Sequence, residues 1–181
     1  DALENLTDTP DLDEGRPALS PDGAQLAFDF HRGADNDDIA VMDLRTGARV
    51  RLTDHPGVDR LPTFAPAGRT VLFRSQRTGL SQIYRVSTQG GEAERVSFYP
   101  ASDGYATVAP DARTILFESD RGGQNGLYLM DSTGRNRRGL LADTRARYTT
   151  PRFGPHGRTV TFSAAIGDEG LAIHILALPE R

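Results

Sequence analysis

Cysteine and lysine are both absent from the 181 residues. Without cysteine there is no disulfide, no thiolate nucleophile and no Cys-ligated zinc, a pattern compatible with an oxidising or a reducing compartment. Without lysine, all 21 basic side chains are arginines; they are scattered among 25 acidic residues, for a net charge of −4. No stripe of them is dense enough to hold a nucleic-acid backbone, so no nucleic-acid partner is expected. Long apolar runs are missing too. The longest, "LAIHILAL" at residues 171–178, is broken by His174 and falls far below the roughly 20 residues that cross a bilayer, so no membrane span is expected. Helical periodicity and a G-x-S-x-G nucleophile elbow are lacking as well.

What the chain does contain is one turn written four times: "PALSPDG" from Pro17, "PTFAPAG" from Pro62, "ATVAPDA" from Ala106 and "PRFGPHG" from Pro151, in steps of 45, 44 and 45 residues. Each turn precedes a short β-branched and aromatic run that ends at Phe28, Phe73, Phe117 or Phe162. A polar loop follows, then a third strand ("DIAVMD", "QIYRVS", "GLYLMD", "LAIHIL"), a glycine turn, and a fourth strand ("RVRLTD", "ERVSFY", "RGLLAD"). A period in the mid-forties built only of strands predicts a β-propeller, whose four-stranded blades cannot bury both faces alone and must stack. The expected fold is all-β: four blades of four antiparallel strands in one domain over residues 1–181, with blades at about 16–59, 60–103, 104–147 and 148–181. The last repeat stops after its third strand, whereas "ALENLTD" (Ala2–Asp8) matches the fourth-strand text "RVRLTD". The expectation is therefore that residues 1–8 complete the last blade and close the ring in a monomer. The alternatives are an open half-ring that pairs with a second copy and a fragment of a longer ring.

The repeat resembles the TolB-like, or PD40, propeller family, whose usual text is "P.WSPDG..IAF.SDR.G...IY.MD...G...RLT". "LSPDGAQLAF", "DIAVMDLRTGARVRLTD" and "ILFESDRGGQNGLYLMDSTG" carry the likeness, which covers nearly the whole chain. Leu19, Phe64, Val108 and Phe153 stand where the family usually has Trp, and the fourth repeat lacks both "SDR" and "IY". The resemblance implies a periplasmic or secreted location and a protein- or peptide-binding scaffold without enzymatic activity or cofactor. Its alternatives are an accessory domain of a secreted peptidase or hydrolase, or a propeller that binds a small ligand or cation.

No residue is assigned a catalytic or metal-binding role. His31, His55, His156 and His174 occupy unrelated repeat positions, without metal-ligand spacing. The acidic run "DNDD" (Asp35–Asp38) lacks the spacing of a calcium loop and reads as a hairpin turn. Ser20, Ser75 and Ser119 read as turn caps. The candidate ligand-binding residues come from position arithmetic. Three residues before each approach lie Glu14, Asp59, Asp103 and Tyr148, and beside them stand Arg16, Arg60 and Tyr105. In a propeller these connections meet around the axis. Two readings stand for the carboxylates: a polar mouth that takes a ligand, or structural clips repeated once per blade.

Overall fold

The turn text closes each first hairpin. In "SPDG" the Ser20 hydroxyl accepts the Gln25 N–H at 2.8 Å and donates to Asp22 at 2.6 Å, and Gly23 takes a φ of 71°. The third repeat sets Ala112 at that place, with a φ of 58°, so a side chain is held where glycine is favoured.

A computed structural model describes residues 3, 5–31, 33 and 36–179. Its strands form four antiparallel sheets arranged as a four-bladed β-propeller. Blade 1 holds β1 (Asp13–Leu19), β2 (Gln25–His31), β3 (Asp37–Asp43) and β4 (Arg49–Arg51). Blade 2 holds β5 (Asp59–Phe64), β6 (Thr70–Thr78), β7 (Leu80–Ser87) and β8 (Glu94–Arg95). Blade 3 holds β9 (Asp103–Val108), β10 (Thr114–Ser119), β11 (Gly126–Asp131) and β12 (Arg138–Leu141). Blade 4 holds β13 (Ala146–Phe153), β14 (Thr159–Ile166) and β15 (Ala172–Ala177). Strands within each blade pair in chain order.

Alternation along the second and third strands builds the gaps between blades. Ala27, Ile39 and Val41 of blade 1 pack on Phe73, Tyr84 and Val86 of blade 2. Leu72 and Ile83 of blade 2 meet Phe117, Tyr128 and Met130 of blade 3. Leu116, Leu127 and Leu129 of blade 3 meet Tyr148, Val160 and Phe162 of blade 4. Phe28 belongs to a fourth cluster on the outer face of blade 1, with Phe30, Ala40 and Met42. All four repeat phenylalanines are buried, as their common register predicts. None of these clusters joins blade 4 to blade 1, and Ile173 and Ile175 of β15 are 85% and 70% exposed.

The N-terminal segment corrects one expectation. Blade 4 has three strands, and among the described residues of the segment Leu3 and Asn5–Asp8 form none; Ala2 and Glu4 lie outside the described residues. The reason is local. Asn5 Oδ1 accepts the N–H groups of Thr7 and Asp8, both at 3.2 Å, Asp8 takes a φ of 44°, and Arg49 of β4 donates to the Thr7 carbonyl. That turn, tied to blade 1, competes with the extended conformation an added strand requires.

A second side-chain turn offers a pH test. After β11, Asp131 accepts the Thr133 hydroxyl at 2.6 Å, the Thr133 and Arg135 N–H groups at 2.9 Å, and the Asn136 amide at 2.8 Å. These bonds, that of the Thr133 hydroxyl foremost, hold the carboxyl down at about 2. A depressed folded pKa contributes stability above the ordinary value near 4, and that contribution is lost as the pH falls through about 2. Asp131→Ala is expected to be less stable than the parent at pH 7, with the gap narrowing in urea titrations run from pH 4 towards pH 2. A gap that stays constant over that window would refute a role for the charge.

Candidate functional site at the propeller axis

Each innermost strand carries one residue in the left-handed region: Arg16, Leu61, Tyr105 and Thr150, with φ of 50°, 60°, 44° and 52°. In the ladders of β1, β5, β9 and β13 these residues sit at bulges, which turn a strand and free an amide from the ladder. A carboxylate of the preceding blade takes that amide in two gaps. Asp29 of β2 accepts the Leu61 N–H at 3.0 Å and the Arg16 guanidinium at 2.9 Å. Glu118 of β10 accepts the Thr150 N–H at 2.7 Å and the Thr149 hydroxyl. Burial pushes the Glu118 carboxyl up despite these bonds.

Around the first hook opens a cavity of about 580 Å³, lined by Asp13, Glu14, Gly15, Arg16, Asp29, His31, Asp37 and Arg60. Its polar groups are mostly locked together. Asp37 binds His31 at 2.8 Å and also accepts Arg60, so an arginine of blade 2 is held by an acid of blade 1. Glu14 is the exception: its Oε1 is buried without a hydrogen-bond partner, 4.0 Å from Arg49. Next to this cavity runs a channel of about 460 Å³ lined by Arg16, Leu61, Tyr105 and Arg152, which draws on all four blades.

The structure thus divides the seven sequence candidates. Glu14, Arg16 and Arg60 share the first cavity, and Tyr105 meets Arg16 in the channel. Asp59 and Asp103 are sealed inside their blades as clips. Asp59 binds Arg77 at 2.8 Å, and Arg77 donates its Nε to Ser75 at 2.8 Å while its guanidinium lies 4.6 Å from the Tyr84 ring centre. Asp103 repeats the arrangement with Arg121 and Ser119, both at 2.8 Å, beneath the rings of Tyr99, Tyr128 and Phe117. Burial raises the Asp59 carboxyl above its ordinary range, outweighing the pull of Arg77. Tyr148 is a core residue, edge-on to Phe162 at 5.9 Å.

Asp29 and Glu118 are not among the sequence candidates, and His31 and Asp37, which the sequence leaves without a role, line the cavity. The signal for Asp29 and Glu118 was present, since each acid directly follows a repeat phenylalanine inside an apolar strand, where a charge needs a partner from another element. Asp37 and Asp38 belong to β3 rather than to a loop, and Asp38 is fully buried against Arg51 at 2.6 Å; Asp35 lies outside the described residues. His55 caps Gly57 at 2.9 Å and His174 stacks on Phe162, so neither reaches the axis. Ser75 and Ser119 do cap turns, accepting the N–H of Arg77 and Arg121 at 3.3 Å.

Residues 10–178 match the TolB beta propeller domain, and the chain belongs to that family. The Tol-Pal system protein TolB of Bordetella pertussis is 46% identical over 43 residues, which are 24% of this chain and 10% of that protein. An uncharacterised protein of Agrobacterium fabrum is 39% identical over 75 residues, 41% of this chain and 25% of that protein. The crystal structure of TolB from Acinetobacter baumannii superposes with a TM-score of 0.81 at 26% identity, covering 96% of this chain and 43% of that one. Puromycin hydrolase superposes with a TM-score of 0.71 over 89% of this chain and 26% of the hydrolase chain, and at 16% identity that likeness concerns the fold. The chain thus spans less than half the length of each of these relatives. Among the described residues no helix is long and apolar enough to cross a membrane.

Proposed function

We propose that the chain, as one propeller domain over residues 1–181, is a non-enzymatic binding module of the periplasm that holds a protein or peptide partner at its axial mouth. The single observation that carries this reading is the mouth cavity, where side chains of two blades are fixed by mutual ion pairs while the buried Glu14 Oε1 is left without a donor. A preorganised site with one open acceptor suits a cationic group of a partner, an arginine, lysine or peptide N-terminus, whose charge gains more there than in water. The lining contains His31 with Asp37 but no serine, threonine or cysteine beside them, so the pair has no hydroxyl or thiol to activate. The Tol-Pal relatives favour the binding reading over that of a peptidase accessory domain.

The test compares the wild-type chain with the Glu14→Gln variant as bait in a periplasmic extract, with circular dichroism and melting temperature as controls on folding. A partner captured by the wild type and lost from an equally stable Glu14→Gln chain is the expected result. Equal capture by both, or none by either, would overturn the reading.

A further inference from the structure

The hooks that join neighbouring blades at the axis have no counterpart between blades 2 and 3. Asp29 serves the gap between blades 1 and 2, and Glu118 that between blades 3 and 4. The equivalent residue of blade 2, also next after the repeat phenylalanine, is Arg74, and the left-handed residue it faces is Tyr105. An arginine has no acceptor for an amide. Among the described residues no side chain takes the Tyr105 N–H, and a cation stands where the gaps hooked by Asp29 and Glu118 hold a carboxylate.

Arg74 carries the marks of a cation without its counterion. Its side chain lies across the backbone of Gly104, so close that a Cβ built there would stand 3.2 Å from Arg74 Cδ. Its Nε is buried with no hydrogen-bond partner, and no carboxylate of the described residues lies within ion-pairing distance. It stands opposite Arg60 in the β5–β6 ladder. Burial first, and then the like charge of Arg60, press the guanidinium below the usual arginine range, while the charge of Glu118 acts the other way. The carboxylates of Asp29 and Asp37 are already paired, to Arg16 and Arg60.

We propose that Arg74 and the Tyr105 N–H form a carboxylate-binding site at the axial end of the gap between blades 2 and 3, filled by an acidic side chain or the C-terminal carboxylate of a peptide ligand. The carboxylate would take the place that Asp29 and Glu118 occupy in the neighbouring gaps, accepting from the amide with one oxygen and from the guanidinium with the other. Tyr105 also lines the channel with Arg16, Leu61 and Arg152, whose two arginines add positive potential beside the site. The inference rests on the axis as a binding surface, but its ligand group is opposite in sign to the one expected at Glu14. One peptide with a basic and an acidic group could span both.

The experiment is an NMR titration of the 15N-labelled chain, read at the Tyr105 amide and the Arg74 Nε–H. Three peptides serve as probes: acetyl-Gly-Glu-Gly-amide, with a side-chain carboxylate alone; acetyl-Gly-Gly-Gly, with a C-terminal carboxylate alone; and acetyl-Gly-Gln-Gly-amide, with neither. The expected result is a saturable shift of both signals with at least one carboxylate probe, and the probe that saturates first identifies the source. The response is lost in Arg74→Met. Arg74→Glu is expected to supply an internal hook like that of Glu118, so its Tyr105 amide stops responding while the melting temperature is at least maintained. Absence of a response in the wild type, an equal response in Arg74→Met, or an equal response to the glutamine probe would overturn the proposal. Glu14→Gln should titrate like the wild type, which keeps a failure here distinct from a failure of partner capture.

Discussion

Replacing Phe117 with alanine is expected to cost about 3–5 kcal/mol, enough to unfold much of a population whose total stability is of the usual order of 5–15 kcal/mol. The ring is fully buried in the gap between blades 2 and 3. On one side it meets Leu72, Ile83 and Val96, and its centroid lies 6.1 Å from that of Tyr128. Above it lies Arg121, 5.1 Å away, so the deletion leaves a cavity and also removes one of the three faces that hold a buried guanidinium. Collapse cannot fill the space cheaply, because the neighbours come from two separate sheets whose spacing is set by the other side chains of the gap. Urea unfolding monitored by far-ultraviolet circular dichroism measures the loss. A cost below about 1 kcal/mol would mean that the blades close over the missing ring and that the gap is far softer than its burial implies.

That phenylalanine was legible in the sequence, and it shows why the fold was. The same register position is buried in every repeat, between blades at Phe73, Phe117 and Phe162 and against its own blade at Phe28, so a period of about 45 residues exposes both the strand and the side of it that is covered. The axis was legible only in part. Position arithmetic located the ring of innermost connections and brought out Glu14, Arg16, Arg60 and Tyr105, which the structure gathers there. It could not say which way a carboxylate turns. Asp59 and Asp103 come from the same connections yet point into the blade, because an arginine 18 residues further on lies within reach and stacks on aromatic rings. The hooks of Asp29 and Glu118 were hidden for a related reason: each serves a backbone amide about 32 residues away in the next blade, and a backbone amide leaves no trace in the text. That the described residues give blade 4 no fourth strand reflects a contest of a third kind, between matching strand text and an Asx turn at Asn5.

The clip itself gives the second large effect. Asp103→Ala is expected to cost about 3–5 kcal/mol, because it strands the charge of Arg121, whose side chain is only 10% exposed, and an uncompensated buried charge is far more costly than the pair is favourable. The structure also indicates what would replace the pair. At the equivalent positions of blade 4 stand Tyr148 and Ile166, a buried tyrosine and an apolar residue with no charge to match. The double variant Asp103→Tyr with Arg121→Ile copies that solution into blade 3 and is expected to be more stable than Asp103→Ala. Removing both ions abolishes the desolvation cost that the surviving partner would otherwise bear, although Ser119 then loses its donor and the stacked rings lose their cation. Thermal unfolding of the parent, the single and the double variants closes the comparison. A double variant no more stable than Asp103→Ala would show that the guanidinium contributes through its stacking on Tyr99, Phe117 and Tyr128 as much as through its charge, and that the tyrosine of blade 4 is not an equivalent clip.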